Sequence, residues 1–226
     1  MSVEEIINPA IPSLLPGDSA AGALRKMENA GLEALPLVTE EGVFRGMITE
    51  SNLNSLIDRK VKLEELQPFG TANYVLGRRH IFDLSAIAQA GGISPVAVLS
   101  DEGRYMGSAG PADFAAAFGR LYSVQAPGSI IELTMYERDY SLSQIARLTE
   151  SNGVKIIHAA TDTDPSDAAR IRLTLKLNQL DVSRVVATLE RFGYNITALY
   201  NQADDQNAQV NPDRERLDSL LKYLSI

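Results

Sequence analysis

Leu35-Pro-Leu-Val-Thr-Glu-Glu-Gly42 and Val96-Ala-Val-Leu-Ser-Asp-Glu-Gly103 are two versions of one phrase, and they decide the fold. Each is a short apolar run closed by acidic turn residues and a glycine, the pattern of a buried strand entering a hairpin turn. The offset from Gly42 to Gly103 is 61 residues. The same offset carries Phe44 to Tyr105, Gly46 to Gly107, Asn52 to Asp113, Leu53 to Phe114 and, upstream, Gly31 to Gly92. The first half of the chain is therefore an internal repeat.

Working outward from the first phrase, Ala21 to Ala30 predicts a helix with Leu24 and Met27 on one face and Gly31 as its stop. Leu35–Val38 and Val43–Ile48 predict the two strands of a hairpin. Thr49 or Ser51 then caps a helix whose inward side carries Leu53, Leu56 and Ile57. In the second copy, Leu84, Ile87 and Ala88 open a helix that Gly91-Gly92 ends. Val96–Leu99 and Arg104–Ser108 are its strands. Pro111 follows Gly110 at a first helical position, ahead of the stripe Phe114, Ala117, Phe118 and Leu121.

This order resembles the CBS domain, and two copies over about residues 1–122 resemble its tandem pair. The resemblance implies one folded unit with clefts between the copies, which in that family commonly hold adenine nucleotides or adenosyl compounds. The family's pattern there is Gly, two mostly apolar residues, Thr or Ser, two variable residues, then Asp. The first copy reads Gly46-Met-Ile-Thr49-Glu50-Ser51-Asn52, and the second Gly107-Ser-Ala-Gly110-Pro111-Ala112-Asp113. One keeps the hydroxyl and has an amide for the carboxylate; the other keeps the carboxylate and lacks the hydroxyl. A hydroxyl with backbone N–H groups at a helix start suits phosphate, and a carboxylate can accept from both ribose hydroxyls. The resemblance thus marks Thr49, Asn52 and Asp113 as ligand contacts, with Leu35, Pro36, Val96 and Ala97 near the base. The basic cluster Arg78-Arg79-His80 reads either as a solvated loop, which an acidic chain favours, or as a site where Arg78 neutralises a phosphate. Capping explains Thr49 equally well, and the helix dipole Asp113.

After Ala126-Pro127-Gly128 the rhythm changes. Ile131, Leu133 and Met135 alternate with polar residues as a strand. Ser141 caps a helix carrying Leu142, Ile145 and Leu148, ended by Asn152-Gly153. Val154–Ala160 is a second strand, and Ile171, Leu173, Leu175 and Leu177 alternate with Arg170, Arg172, Thr174 and Lys176 in a third. Val182, Val185, Val186, Leu189 and Phe192 form a helical stripe before the last strand, Tyr194–Tyr200. Strand, helix, strand, strand, helix, strand is the ferredoxin-like order, with the three cations on the face away from the helices.

That stretch, about Ser129 to Asn201, resembles the ACT domain, a regulatory module that pairs across subunits and binds amino acids or similar effectors. Its ligand loop corresponds to Glu137-Arg138-Asp139-Tyr140-Ser141-Leu142. Ser141 stands where a Gly is expected, and Asp139 reads either as an ordinary residue of the loop leading into the helix, the favoured reading, or as the group that orients an amine. The whole order resembles acetoin-utilisation-type regulatory proteins.

The fold class expected is therefore α/β of the α+β kind: a tandem CBS pair over 1–125 (copies about 1–60 and 61–125) and a ferredoxin-like βαββαβ ACT-like domain over 128–202. Residues 203–226 read as a polar linker and a C-terminal helix with Leu217, Leu220, Leu221 and Leu224 along one face, a docking surface for its own chain or a protein partner.

Composition narrows the function. Among 226 residues, 21 Lys+Arg against 29 Asp+Glu give a net charge of −8, which argues against nucleic acid or an anionic membrane as the main partner. There is no cysteine, hence no disulfide, thiolate metal site or cysteine nucleophile. The acidic start Met1-Ser-Val-Glu-Glu5 predicts no secretory signal, and no apolar run reaches the ~20 residues of a membrane span, so the expected location is cytoplasmic. No Walker loop, dinucleotide fingerprint or nucleophile elbow occurs. His158, one of two histidines, lies in an apolar strand and reads as packed. The acidic turn Asp162, Asp164, Asp167 lacks the Gly and Glu of a calcium loop.

The expectation is a non-catalytic regulatory sensor without cofactor. Its candidate ligands are ATP, ADP, AMP or S-adenosylmethionine, and its expected state is a homodimer. The rival reading is an interaction scaffold with degenerate sites, and an amino-acid sensor acting through the ACT-like domain is a third.

Overall fold

The computed structural model describes residues 1–66, 73–84 and 95–201. Beyond Leu84, the helix expected from Leu84 to Gly92 lies outside them, as do the polar tail and the leucine stripe from Leu217 to Leu224. The chain divides into two compact units, Met1–Leu121 and one beginning at Tyr122. It is a mixed α/β fold.

In the first unit the repeat holds at the level of hydrogen-bond register. Strands β1 (Ala34–Val38) and β2 (Phe44–Thr49) form an antiparallel hairpin, and β4 (Val96–Leu99) pairs with β5 (Tyr105–Ala109) in the same way. Leu37 faces Gly46 and Val98 faces Gly107, and each pairing slips at the next residue. Gly42 and Gly103 end the two turns at φ 80° and 77°. This left-handed conformation is one that glycine adopts without steric cost. Leu14 bridges Leu37 in parallel, and 61 residues on, Val75 of β3 (Tyr74–Leu76) pairs in parallel with Val98.

Each copy is completed by the other. The turn Val3–Ile6 buries Val3 and Ile6 among Val75, Ile81, Leu84, Val96 and Val98 of the second copy. The turn Leu63–Glu65 buries Leu63 among Leu14, Met27, Leu35, Leu37 and Ile48 of the first. The backbone bonds match: Val3 and Glu4 donate to the carbonyls of Arg79 and Gly77, and Leu63 and Glu64 to those of Asp18 and Pro16. A segment of about 60 residues buries too little surface to be stable by itself, and exchanging these turns enlarges both cores.

Helix α1 (Ala20–Ala30) starts at Ser19, whose side chain accepts from Gly22 N–H, and stops at Gly31, φ 63°. Just before it, the Asp18 carboxylate accepts from Leu15 N–H (2.9 Å) and from the Lys26 ammonium (2.7 Å). Burial works against its charge, and the Leu15 and Lys26 contacts more than offset that, holding its pKa below the ordinary value. A lowered carboxylate pKa stabilises the fold above the unfolded value of about 3.9, and that contribution is lost as pH falls further. Asp18→Asn should therefore flatten the loss of Tm between pH 4 and pH 2.5 while lowering Tm at pH 7. Thermal melts across that range check it; parallel wild-type and variant curves would refute it.

Helix α2 (Glu50–Asn54) is shorter than the apolar pattern predicts. Leu53 is buried and Leu56 half-buried, but Ile57 is fully exposed. The helix ends at Asn54, so residues 56–57 no longer follow its period. Helix α3 (Pro111–Leu121) runs as expected, with Ala117 buried and Phe114 and Leu121 against the core.

In the second unit β6 (Ser129–Tyr136), α4 (Leu142–Glu150), β7 (Ile156–Thr163), β8 (Arg170–Leu177), α5 (Ser183–Arg191) and β9 (Asn195–Asn201) give a four-stranded antiparallel sheet of order β7-β8-β6-β9. That is the ferredoxin-like arrangement. Ile131, Leu133, Leu173, Leu175 and Leu177 meet Ile145, Leu148, Val185 and Leu189 in one core. Phe192 follows α5 and stays half exposed, outside the expected stripe. On the opposite sheet face Lys176 is only 5% exposed and donates to the Gly128 carbonyl at 3.2 Å. His158 is packed against the Tyr122 ring, 4.3 Å between centroids, and its Nε2 is buried without a hydrogen-bond partner.

Candidate functional site

The residues singled out by the repeat fall into two motifs at matching places. Each lies where the second strand of a hairpin meets a helix. In the first copy Ala34 pairs with Thr49 and Glu50 N–H donates to the Glu33 carbonyl at 2.7 Å, closing the end of the hairpin. The Thr49 hydroxyl accepts from Asn52 N–H at 3.1 Å, and Asn52 Oδ1 accepts from Thr49 N–H at 3.3 Å and from the Thr49 hydroxyl. This reciprocal capping box accounts for an Asn three residues after the Thr. The helix it caps has five residues, too short to offer phosphate an N-terminal site.

Beside this cap lies a hollow of about 580 Å³, lined by Glu33, Ala34, Thr49, Glu50, Ser51, Asn52 and Asn54. A second hollow, about 430 Å³, shares Glu33, Glu50 and Asn54 and reaches Arg59. The volumes suit a small molecule. Two carboxylates, Glu33 and Glu50, are exposed at the first hollow; among the described residues that line it there is no cation, and Arg59 of the adjoining hollow donates to the Asn54 side chain at 3.4 Å.

The second copy is built the same way and is filled differently. Asp113 Oδ2 accepts from Gly110 N–H at 2.8 Å, the counterpart of the Asn52–Thr49 bond. Its carboxylate also accepts from the Asn8 side-chain amide at 3.0 and 3.3 Å.

The other expected contacts separate from these motifs. Leu35 and Val96 are buried in the cores of their own copies. Pro36 and Ala97 are buried as well, and none of the four lines either hollow. A continuous apolar strand looks alike from sequence whether it faces a ligand or a core; the neighbouring Glu33 and Ala34, which the sequence reading passed over, line the hollow instead. Arg78 is paired with Asp101 in the β4–β5 turn. That turn is at the far end of the hairpin from Asp113.

In the second unit a hollow of about 420 Å³ is lined by Asp139, Gln144, Tyr136, Arg170 and Tyr194, among others. The Arg170 guanidinium lies 5.7 Å from the Tyr136 ring centroid, and its Nε is buried with no hydrogen-bond partner. Ser141 is not at this hollow; it caps α4 by accepting from Gln144 N–H. Arg170 was visible in the sequence only as an outward strand residue.

Among the described residues no three His, Cys, Asp or Glu side chains are grouped to hold a metal ion, and no helix is long and apolar enough to cross a membrane.

Residues 3–59 match the family model of the CBS domain. No curated protein matches the chain. A CBS domain pair/ACT domain protein from Thermotoga maritima superposes with a TM-score of 0.50 at 18% identity, covering 53% of this chain and 98% of that one. The CBS domains of a transcriptional regulator from Streptococcus pneumoniae give 0.47 at 15%, covering 51% and 98%. CBSX2 from Arabidopsis thaliana gives 0.47 at 13%, covering 53% and 94%. At these identities the Thermotoga likeness shows the fold.

Proposed function

We propose that this chain is a non-catalytic regulatory sensor that binds an adenosine-type small molecule at the hollow beside Thr49. The observation that carries the reading is a hollow of about 580 Å³ beside Thr49 and Asn52, at the place where the repeat puts its motif. The charge of the lining narrows the ligand. With Glu33 and Glu50 at the rim, a polyphosphate meets repulsion, and a ligand with cationic groups meets attraction. Of the four candidates, S-adenosylmethionine fits this chemistry and ATP fits it least.

The sensor acts by favouring one arrangement of a homodimer, in the cytoplasm, over another. It can do so only if the ligand binds the two arrangements unequally. Calorimetry on the full chain with S-adenosylmethionine, adenosine, AMP, ADP and ATP tests the assignment. S-adenosylmethionine should bind at least tenfold more tightly than ATP at low salt. No heat from any of the five at millimolar concentration, with folded protein, would remove it.

A second reading rests on the hollow of the second unit. Asp139 and Arg170 line it together, a pairing suited to the amine and carboxylate of a free amino acid. A thermal-shift screen of amino acids separates this reading from the first. In the scaffold alternative, a protein partner would be held equally with and without ligand.

A further inference from the structure

Residues 7–11 run across the second copy's motif as a strap. A Cβ on Gly107 would lie 2.4 Å from Ile7 Cγ2, so the strap rests on that glycine. Asn8 N–H donates to the Ser108 carbonyl at 2.8 Å. A Cβ on Gly110 would lie 3.3 Å from Ile11 Cδ1. The orientation of the Asn8 side chain is determined by its own backbone. Its Oδ1 accepts from Ala10 N–H at 2.9 Å, which leaves Nδ2 to donate to both Asp113 oxygens.

The Asp113 carboxylate therefore already holds hydrogen-bond donors from two directions, one from the Gly110 backbone and one from Asn8. A ligand hydroxyl seeking this carboxylate competes with an amide tethered a short distance away on the same chain. Such a tether acts at high effective concentration. The matching stretch of the first copy lies outside the described residues.

We propose that Asn8 is an internal occupant of the second copy's carboxylate and holds the strap 7–11 shut over Gly107–Asp113. Resting on the adenosine-type reading above, this makes the second copy's motif available to a ligand only when the strap lifts.

The test uses the full chain, hydrogen exchange and equilibrium dialysis with adenosine as the probe. Asn8→Asp is isosteric and sets two carboxylates against each other. The amides of residues 8 and 11 should exchange at least tenfold faster than in wild type. Those of Val3 and Glu4, bonded to the Arg79 and Gly77 carbonyls, should not change. Combining it with Asp113→Asn exchanges donor and acceptor and should restore wild-type protection, which a generally loosened protein would not do. Asn8→Asp should take up one equivalent of adenosine more than wild type and the double variant do. Unchanged exchange in Asn8→Asp, failure of the double variant to restore it, or no added equivalent in Asn8→Asp would each overturn the proposal. If no form takes up adenosine, the sensor reading fails, and the exchange rates with their restoration alone decide whether Asn8 pins the strap.

Discussion

Gly128→Ala should destabilise the second unit by about 3–5 kcal/mol, enough to remove most of the stability of a small unit. The glycine sits at φ 151°, where a side chain is strained. An added Cβ would also lie 1.8 Å from the Leu177 carbonyl oxygen and 3.0 Å from its carbon. Those are backbone atoms of β8, the strand between β7 and β6 in the sheet, so no flexible side chain can yield. The surroundings pin both sides of the contact. Ser129 donates from its N–H to the Gln179 carbonyl at 2.9 Å and from its hydroxyl to the Leu180 carbonyl at 2.6 Å, and Lys176 reaches the Gly128 carbonyl. Urea unfolding followed by circular dichroism reads the effect. Gly119→Ala is the control: it lies within α3, a Cβ there meets nothing within 4 Å, and helix propensity alone should add about 0.5–1 kcal/mol. Equal midpoints for the two variants would show that the close approach at Gly128 is relieved at no cost.

Gly128 was legible in the sequence only as a boundary signal beside Pro127; its tight packing against β8 was not. The same division runs through the chain. Turn chemistry is local, so Gly42 and Gly103 exposed the repeat, and with it both hairpins and their shared slip in register. Alternation is also local, and Leu173, Leu175 and Leu177 marked the core face of β8. The exchanged turns were invisible because two apolar residues, Val3 and Ile6, are too few to show a period, and their partners in the second copy begin 69 residues on, at Val75. At the motifs, the spacing of Thr49 to Asn52 and Gly110 to Asp113 identified positions that do meet in space. What fills them was not readable. Asn8 reaches Asp113 across 105 residues, and Asp101 neutralises Arg78 across 23. Long-range pairing of single polar groups leaves no periodic trace, so a basic cluster that reads as free charge is spent on a neighbouring turn.

On the proposed reading, charge at the hollow beside Thr49 decides which ligand binds, and Glu33→Arg should invert the preference. Two unit charges 4 Å apart interact by about 1 kcal/mol in water, and by more where protein displaces solvent. Glu33 is exposed, so the interaction is partly screened and falls with salt over a Debye length of about 8 Å at physiological ionic strength. Reversing one charge from −1 to +1, against ligands that differ by several charges, should move the ratio of S-adenosylmethionine to ATP affinity by about 2 kcal/mol, roughly 30-fold, toward ATP. Glu33→Gln should give about half of that in free energy. Both shifts should shrink as salt is raised, because they arise from a rim charge and not from a lost contact. The Glu33 carbonyl, which receives Glu50 N–H, belongs to the backbone, so the hairpin end survives the substitution. Calorimetric titrations of wild type and both variants at two salt concentrations provide the measurement. A ratio that stays constant across the three proteins would mean that the ligand does not sit beside Glu33, and the hollow next to Thr49 would lose its role even if the chain binds an adenosyl compound elsewhere.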